Sequence, residues 1–236
     1  MQPIPVLEGA VDSASSSRVF IAKVYMWMAI GLFITSVISV APFLVLGESE
    51  YMMLLVENIF IFYGLLIFEL LLVFGLTAMI NKIPAIVGIL VFMFYSFLNG
   101  ITLSPIFILY TGASIFSTFA VCAIMFGGTS ILGFITKIDL SRFGGFLTMA
   151  LFGLIGAMVV NLFLQSDRMT WIISFIGVIL FIGLTAYDTQ KIKNMSGYVD
   201  SSTEEGQKAS IMGALTLYLD FINLFLFLLR LLGRRR

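Results

Sequence analysis

From Ile83 to Thr136 the chain carries no Asp, Glu, Lys or Arg. A crossing of a hydrocarbon core about 30 Å thick takes roughly 20 apolar residues, so this run is long enough to cross twice. "YTGAS" at 110–114 supplies the break between the two spans. Similar runs recur along the chain, and together they predict seven helices at roughly 24–46, 58–80, 85–109, 114–136, 143–164, 169–190 and 211–232. The composition agrees: 60% of residues are hydrophobic, 11% are charged, and the mean hydropathy is +1.10. These values belong to an all-α polytopic membrane protein rather than a soluble domain. A transmembrane β-barrel does not fit, because its strands alternate over about ten residues whereas these runs are long and continuous.

Thirteen basic and thirteen acidic residues cancel, so no net field points to nucleic acid or an acidic substrate. Histidine is absent and Cys122 is the single cysteine. An intrachain disulfide, a Cys/His zinc site and a histidine pH switch are thereby excluded. Any response to pH falls to carboxylates. Residues 1–20 lack a basic segment followed by an apolar one and include a run of serines, which reads as a short flexible tail and not a cleaved signal peptide. Residues 21–236 then form one seven-helix transmembrane domain, inserted by an uncleaved first span.

Basic residues in short loops set orientation. Arg18 and Lys23 precede the first span, Lys82 follows the second, Lys137 and Arg142 follow the fourth, and Lys191, Lys193 and Lys208 flank the sixth-to-seventh connection. These are alternate connections, which places the N-terminus in the cytoplasm. "GESEYMMLLVEN" at 47–58 is an acidic first loop, and "NMSGYVDSSTEEGQKAS" at 194–210 is a long solvated connection. Seven full spans put Arg234, Arg235 and Arg236 on the opposite side, against the positive-inside trend. A last segment that turns back at Asp220 is the alternative. Thr129 with Gly133, and Gly153 with Ala157, are small-xxx-small pairs suited to helix contact, and Gly100 and Pro105 should bend the third span. No repeat of the inverted-transporter kind stands out.

Three acids fall within spans: Glu69, Asp188 and Asp220. A charge at mid-bilayer costs roughly 3 kcal/mol on insertion scales, so each needs a reason. With entry near Ile211, Asp220 sits about 14 Å deep at ~1.5 Å of rise per residue. Asp188 lies three residues before Lys191 on the preceding, antiparallel helix, so the two aspartates can share a depth. Facing carboxylates in a low dielectric do not readily both ionise; they share a proton and titrate as a coupled unit. Deprotonated, they offer hard oxygens of the kind Ca2+ accepts, which makes Asp188 and Asp220 the candidate metal-contacting residues. The plainer alternative is that each caps or hydrogen-bonds backbone near a helix end. Asn223, three residues after Asp220, shares its face and is placed to bond it or line a path. Arg230 can reach inward along its stem toward Glu69, and an ion pair would keep both charges in the membrane. Lys82 reads as an orientation charge at the cytoplasmic mouth.

At these residues a resemblance emerges. "NGITLSPIFILYTGASIFSTFAVCAIMFGGTSILGF" (99–134) resembles the signature of the transmembrane Bax inhibitor motif family, and "AYDTQKIK" (186–193) and "LYLDFINLFLFLLRLLG" (217–233) are similar to its last two helices. The likeness covers nearly the whole chain after the tail, and the short loops resemble the bacterial branch. It implies seven helices with the last central in the bundle, a pH-sensitive calcium leak, a di-aspartyl sensor at Asp188 and Asp220, and paired polar residues at Glu69 and Arg230. The arginine that latches the sixth-helix aspartate in similar bacterial members falls here on Ile80, in "AMINKIP", with Lys82 two residues on.

The leading expectation is therefore a proton-regulated Ca2+ pathway in a bacterial inner membrane. It has no catalytic residues and no cofactor, and its partners are calcium, the bilayer and a membrane protein, with no nucleic acid. An intramembrane aspartyl protease also pairs aspartates on adjacent spans, the first as Tyr-Asp, as in Tyr187–Asp188. Such enzymes carry Gly-x-Gly-Asp at the second, where this chain has bulky Leu217 and Leu219. A regulatory protein acting on a membrane-bound ATP-dependent protease or a stress partner is the remaining alternative, with residues 1–17 as its handle.

Overall fold

Backbone hydrogen-bonding groups have no water to turn to in hydrocarbon, so a chain this apolar satisfies them within helices. The computed structural model describes residues 5–236, with side chains from residue 16. Its helices are α1 (Pro5–Glu57), α2 (Ile59–Met79), α3 (Ala85–Leu103), the single turn α4 (Ile106–Leu109), α5 (Gly112–Ile135), α6 (Gly144–Leu164), α7 (Asp167–Ser196) and α8 (Glu204–Leu232), with a 3-10 turn at Leu140–Phe143 before α6. Among the described residues, seven segments are long and apolar enough to cross a membrane, and no β-strand occurs. The all-α, seven-span architecture is thus as the sequence indicates.

The departures have local causes. Gly47 adopts φ 75°, ψ 172°, a left-handed backbone open chiefly to glycine, and it breaks α1 where a loop is expected. Residues 48–57 then continue as helix, anchored by a hydrogen bond between Tyr51 and Ser104. At the other end, the expected tail is helical from Pro5 onward, and Phe20 is fully buried. Residues 1–4 lie outside the described residues. Pro105, which has no N–H to donate, ends α3 at Leu103 and leaves α4 as a separate turn. Gly100 lets α1 approach closely: a β-carbon there would lie 2.7 Å from Ile38 Cβ.

Helices α7 and α8 extend well past the predicted spans, which shrinks the polar connection to residues 197–203. That short loop is held in shape. Asp200 Oδ1 accepts from the Ser202 N–H and hydroxyl, both at 2.8 Å, and Lys23 Nζ donates to Ser201 O at 2.7 Å. The two bonds from Ser202 hold the Asp200 carboxyl below its usual range. α8 runs unbroken through Asp220, so the chain crosses once here and does not turn back.

Contacts gather the chain into two compact units. The first holds the chain up to Leu109 together with Asn194–Tyr218. In it, the Tyr218 ring of α8 packs edge-on against Phe92 and Tyr95 of α3, at centroid distances of 5.6 and 5.8 Å. The second holds Tyr110–Lys193 and Leu219–Arg236. In it, Phe221 meets Phe119 and Phe126 of α5, both at 5.4 Å, and Phe227 meets Phe181 of α7 at 5.8 Å. Of the seven spans, the last is the most buried.

Candidate functional site: a buried aspartate pair

Helix α7 presents Asp188 and helix α8 presents Asp220 within the second unit. Their side chains are almost withdrawn from the surface, at 9% and 5% exposure. The Asp188 carboxylate lies within electrostatic reach of Asp220, so the two acids share one environment. Lys191, one turn along α7, is the cation that faces Asp188. Asp220 Oδ2 is buried and has no hydrogen-bond partner among the described residues.

The elements around the pair are fixed by close packing. A β-carbon on Gly133 of α5 would lie 2.6 Å from Ala186 O and 3.1 Å from Thr189 Cβ, so only glycine allows α5 this near α7. Ser130 and Thr189 then hydrogen-bond across the contact at 3.0 Å. On α8, the Cys122 thiol donates to Phe221 O at 3.7 Å. Gln190 fastens the cytoplasm-proximal end predicted for α7: its Nε2 donates to Ile138 O at 2.9 Å and its Oε1 accepts from Leu140 N at 2.7 Å. No group of three or more His, Cys, Asp or Glu converges among the described residues.

The other residues singled out in the sequence have partners of their own or lie exposed. Asn223 does not bond Asp220; its Nδ2 donates to Leu219 O, four residues back on α8, at 2.8 Å. Glu69 and Arg230 each have a partner within their own unit. Glu69 is 5% exposed, and its two oxygens accept from Asn99 Nδ2 at 3.0 Å and Thr102 Oγ1 at 2.8 Å. Arg230 places its guanidinium 5.6 Å from the centre of the Phe227 ring. Lys82 is exposed on the turn after α2, and Ile80 is buried against α3 near Gly88.

The Glu69 site is the larger omission of the sequence reading. Tyr218 OH donates to Asn99 Oδ1 at 3.0 Å and lies 2.6 Å from Thr35 Oγ1, which in turn bonds Ser96 O at 2.8 Å. A chain of hydrogen bonds thus runs from α1 through α8 and α3 to the carboxylate on α2. The signal was present: Asn99 and Thr102 stand three apart on one face of an otherwise apolar helix.

Comparison with known proteins supplies the relationship. Residues 17–236 match the family described as inhibitor of apoptosis-promoting Bax1. The chain belongs to the Bax inhibitor family. Among its relatives is the inner membrane protein YbhL of Escherichia coli K12, 48% identical over 237 residues, with all of each chain covered. An uncharacterised protein of Borreliella burgdorferi is 40% identical over 218 residues, 92% of each chain. The Rickettsia prowazekii protein RP147 is 42% identical over 219 residues, covering 93% of this chain and 91% of its own. The Bax inhibitor match spans both units, so the aspartate pair and the Glu69 cluster lie within it.

Proposed function

We propose that this Bax inhibitor family protein is a pH-gated calcium leak of the bacterial inner membrane, with the N-terminus cytoplasmic. The observation that carries the reading is the unpartnered, buried Asp220 Oδ2 within electrostatic reach of Asp188. With one proton between them, the two carboxylates hydrogen-bond and hold α7 against α8. Without it, two negative charges in a poorly screened interior repel. The helices then part and the oxygens attract a divalent cation. Proton and Ca2+ compete for one site, and flux rises with pH. No bond of any substrate is made or broken, so the protein acts as a conduit and not an enzyme.

The test is Ca2+ influx into dye-loaded proteoliposomes between about pH 5 and 8, the range in which a buried carboxylate pair titrates. Wild type should pass more Ca2+ at the higher pH, and the double variant Asp188→Asn, Asp220→Asn should lose that dependence. Wild type that passes no Ca2+ at any pH in the range overturns the reading and moves a regulatory role, through a membrane-protein partner, to the front.

A further inference from the structure

Within the second unit, α6 and α7 leave a groove of about 400 Å3, lined also by Arg230 of α8. Its lining is graded along the helices. Asn161 stands three residues before the end of α6, Thr170 three after the start of α7, and Arg230 two before the end of α8. At ~1.5 Å per residue, all three lie within about 5 Å of a helix end, the depth of a headgroup. Ile155 and Ile173 lie about 14 and 9 Å from the same ends, at the depth of acyl chains. Ile155, Val159 and Leu162 are among the exposed apolar side chains, so the groove opens on the surface that meets hydrocarbon.

The polar groups of that lining are not equivalent. Asn161 is occupied by the α6–α7 turn: its Nδ2 donates to Thr170 Oγ1 at 2.8 Å and its Oδ1 accepts from Ser166 N at 3.2 Å. Arg230 stacks on Phe227 but finds no hydrogen-bond acceptor among the described residues of its unit. Its titratable neighbours are Tyr110 and a second cation, Arg235. The C-terminal segment that carries Arg235 is pinned there, since Thr111 N donates to Arg234 O at 3.2 Å and Arg234 N donates to Ser114 Oγ at 2.8 Å. A five-donor guanidinium at headgroup depth, beside another arginine and above an apolar groove, is complementary to one class of ligand.

We propose that the groove holds an anionic phospholipid of the phosphatidylglycerol type, its phosphodiester on Arg230 and one acyl chain along Ile173, Val159 and Ile155. The planar fork of Arg230 matches two phosphate oxygens, and Arg235 tilts the choice toward a headgroup with net negative charge. The site stands apart from the aspartate pair and does not depend on the calcium reading.

The full-length protein in neutral detergent would be titrated with fluorescent phosphatidylglycerol and with the matching phosphatidylcholine. Wild type should prefer the anionic lipid by roughly tenfold, the scale of one charge-assisted hydrogen bond. Arg230→Gln should bring the two lipids level. Val159→Trp, a change at an exposed position, should fill the groove and weaken both, which keeps the test decisive if Arg230→Gln fails to fold. Equal binding of the two lipids by wild type, or an undiminished preference in Arg230→Gln, overturns the proposal. So does binding unchanged by Val159→Trp, displacement by glycerol phosphate alone, or a change of oligomeric state in Val159→Trp with lipid binding intact, which would make the groove a protein interface.

Discussion

Glu69 and Asp220 are buried to the same degree, yet their surroundings make them opposites. Each oxygen of Glu69 receives a donor, from Asn99 and Thr102. Asp220 Oδ2 receives none from the described residues. The cost of a buried polar group lies in whether it is satisfied, so leucine in place of each should act with opposite sign. Glu69→Leu strands the buried Asn99 amide, while Thr102 Oγ1 keeps Asn99 O as an acceptor at 3.2 Å, and should destabilise by roughly 1–3 kcal/mol, the scale of one unsatisfied group. Asp220→Leu removes an orphaned atom at similar volume and should stabilise by about 1–2 kcal/mol. Thermal unfolding midpoints in one detergent check both arms. A fall in midpoint for Asp220→Leu would mean that the carboxylate is structurally engaged. A rise in midpoint for Asp220→Leu would mark a carboxylate that the fold retains at a cost to stability, which the proposed gate would account for.

At the scale of helices, two small-residue pairs that look alike in sequence play different parts. Gly133 sits where a β-carbon would meet the Ala186 carbonyl, whereas around Gly153 nothing lies within 4 Å, because with Ala157 it lines a groove of about 610 Å3 beside α7. Gly133→Ala must push α5 away from the helix that carries Asp188 and should cost about 1–3 kcal/mol. Gly153→Ala meets no obstacle and should gain up to about 1 kcal/mol from helix propensity. Unfolding midpoints of the two variants in parallel test this, and equal losses would refute it. The contrast also marks what the sequence makes legible. Lipid demands about 20 apolar residues per crossing, so span number and approximate bounds are written in the chain. The rotation of each helix about its axis is not, because lipid accepts any apolar face. That is why the sequence did not point to Asn99 and Thr102 as partners of Glu69, or to Phe227 as the partner of Arg230. For Asp188 and Asp220 a similar depth on consecutive antiparallel helices was legible, but not that their side chains face each other. The continuation of α7 to Ser196 and the start of α8 at Glu204 were not, since polar helix ends outside lipid carry no hydropathy signal.

For the whole chain, an odd number of spans separates the termini, and the two ends carry competing charge. Lys82, Lys137, Arg142, Lys191, Lys193 and Lys208 lie at alternate connections on one side, with Arg18 and Lys23. The unbroken α8 delivers Arg234–Arg236 to the other. The orientation bias counts basic residues across all short loops, so the larger set should win and place the N-terminus in the cytoplasm. On the far side Arg235 stands beside Arg230, and an anionic headgroup on Arg230 is a counterpart to both charges. Orientation is directly measurable because the native thiol is silent: Cys122 is 0% exposed. Tyr198→Cys, at a position 93% exposed between α7 and α8, reports one side, and a cysteine appended after Arg236 reports the other. A maleimide that does not cross membranes, applied to intact cells with a permeabilised outer membrane, should label the appended cysteine and spare Tyr198→Cys until the inner membrane is opened. The reverse pattern would invert the proposed orientation and place the Asp188 end of α7 outside the cell. Labelling of both from the same side would contradict the single crossing of α8, and with it the shared depth on which the aspartate gate depends.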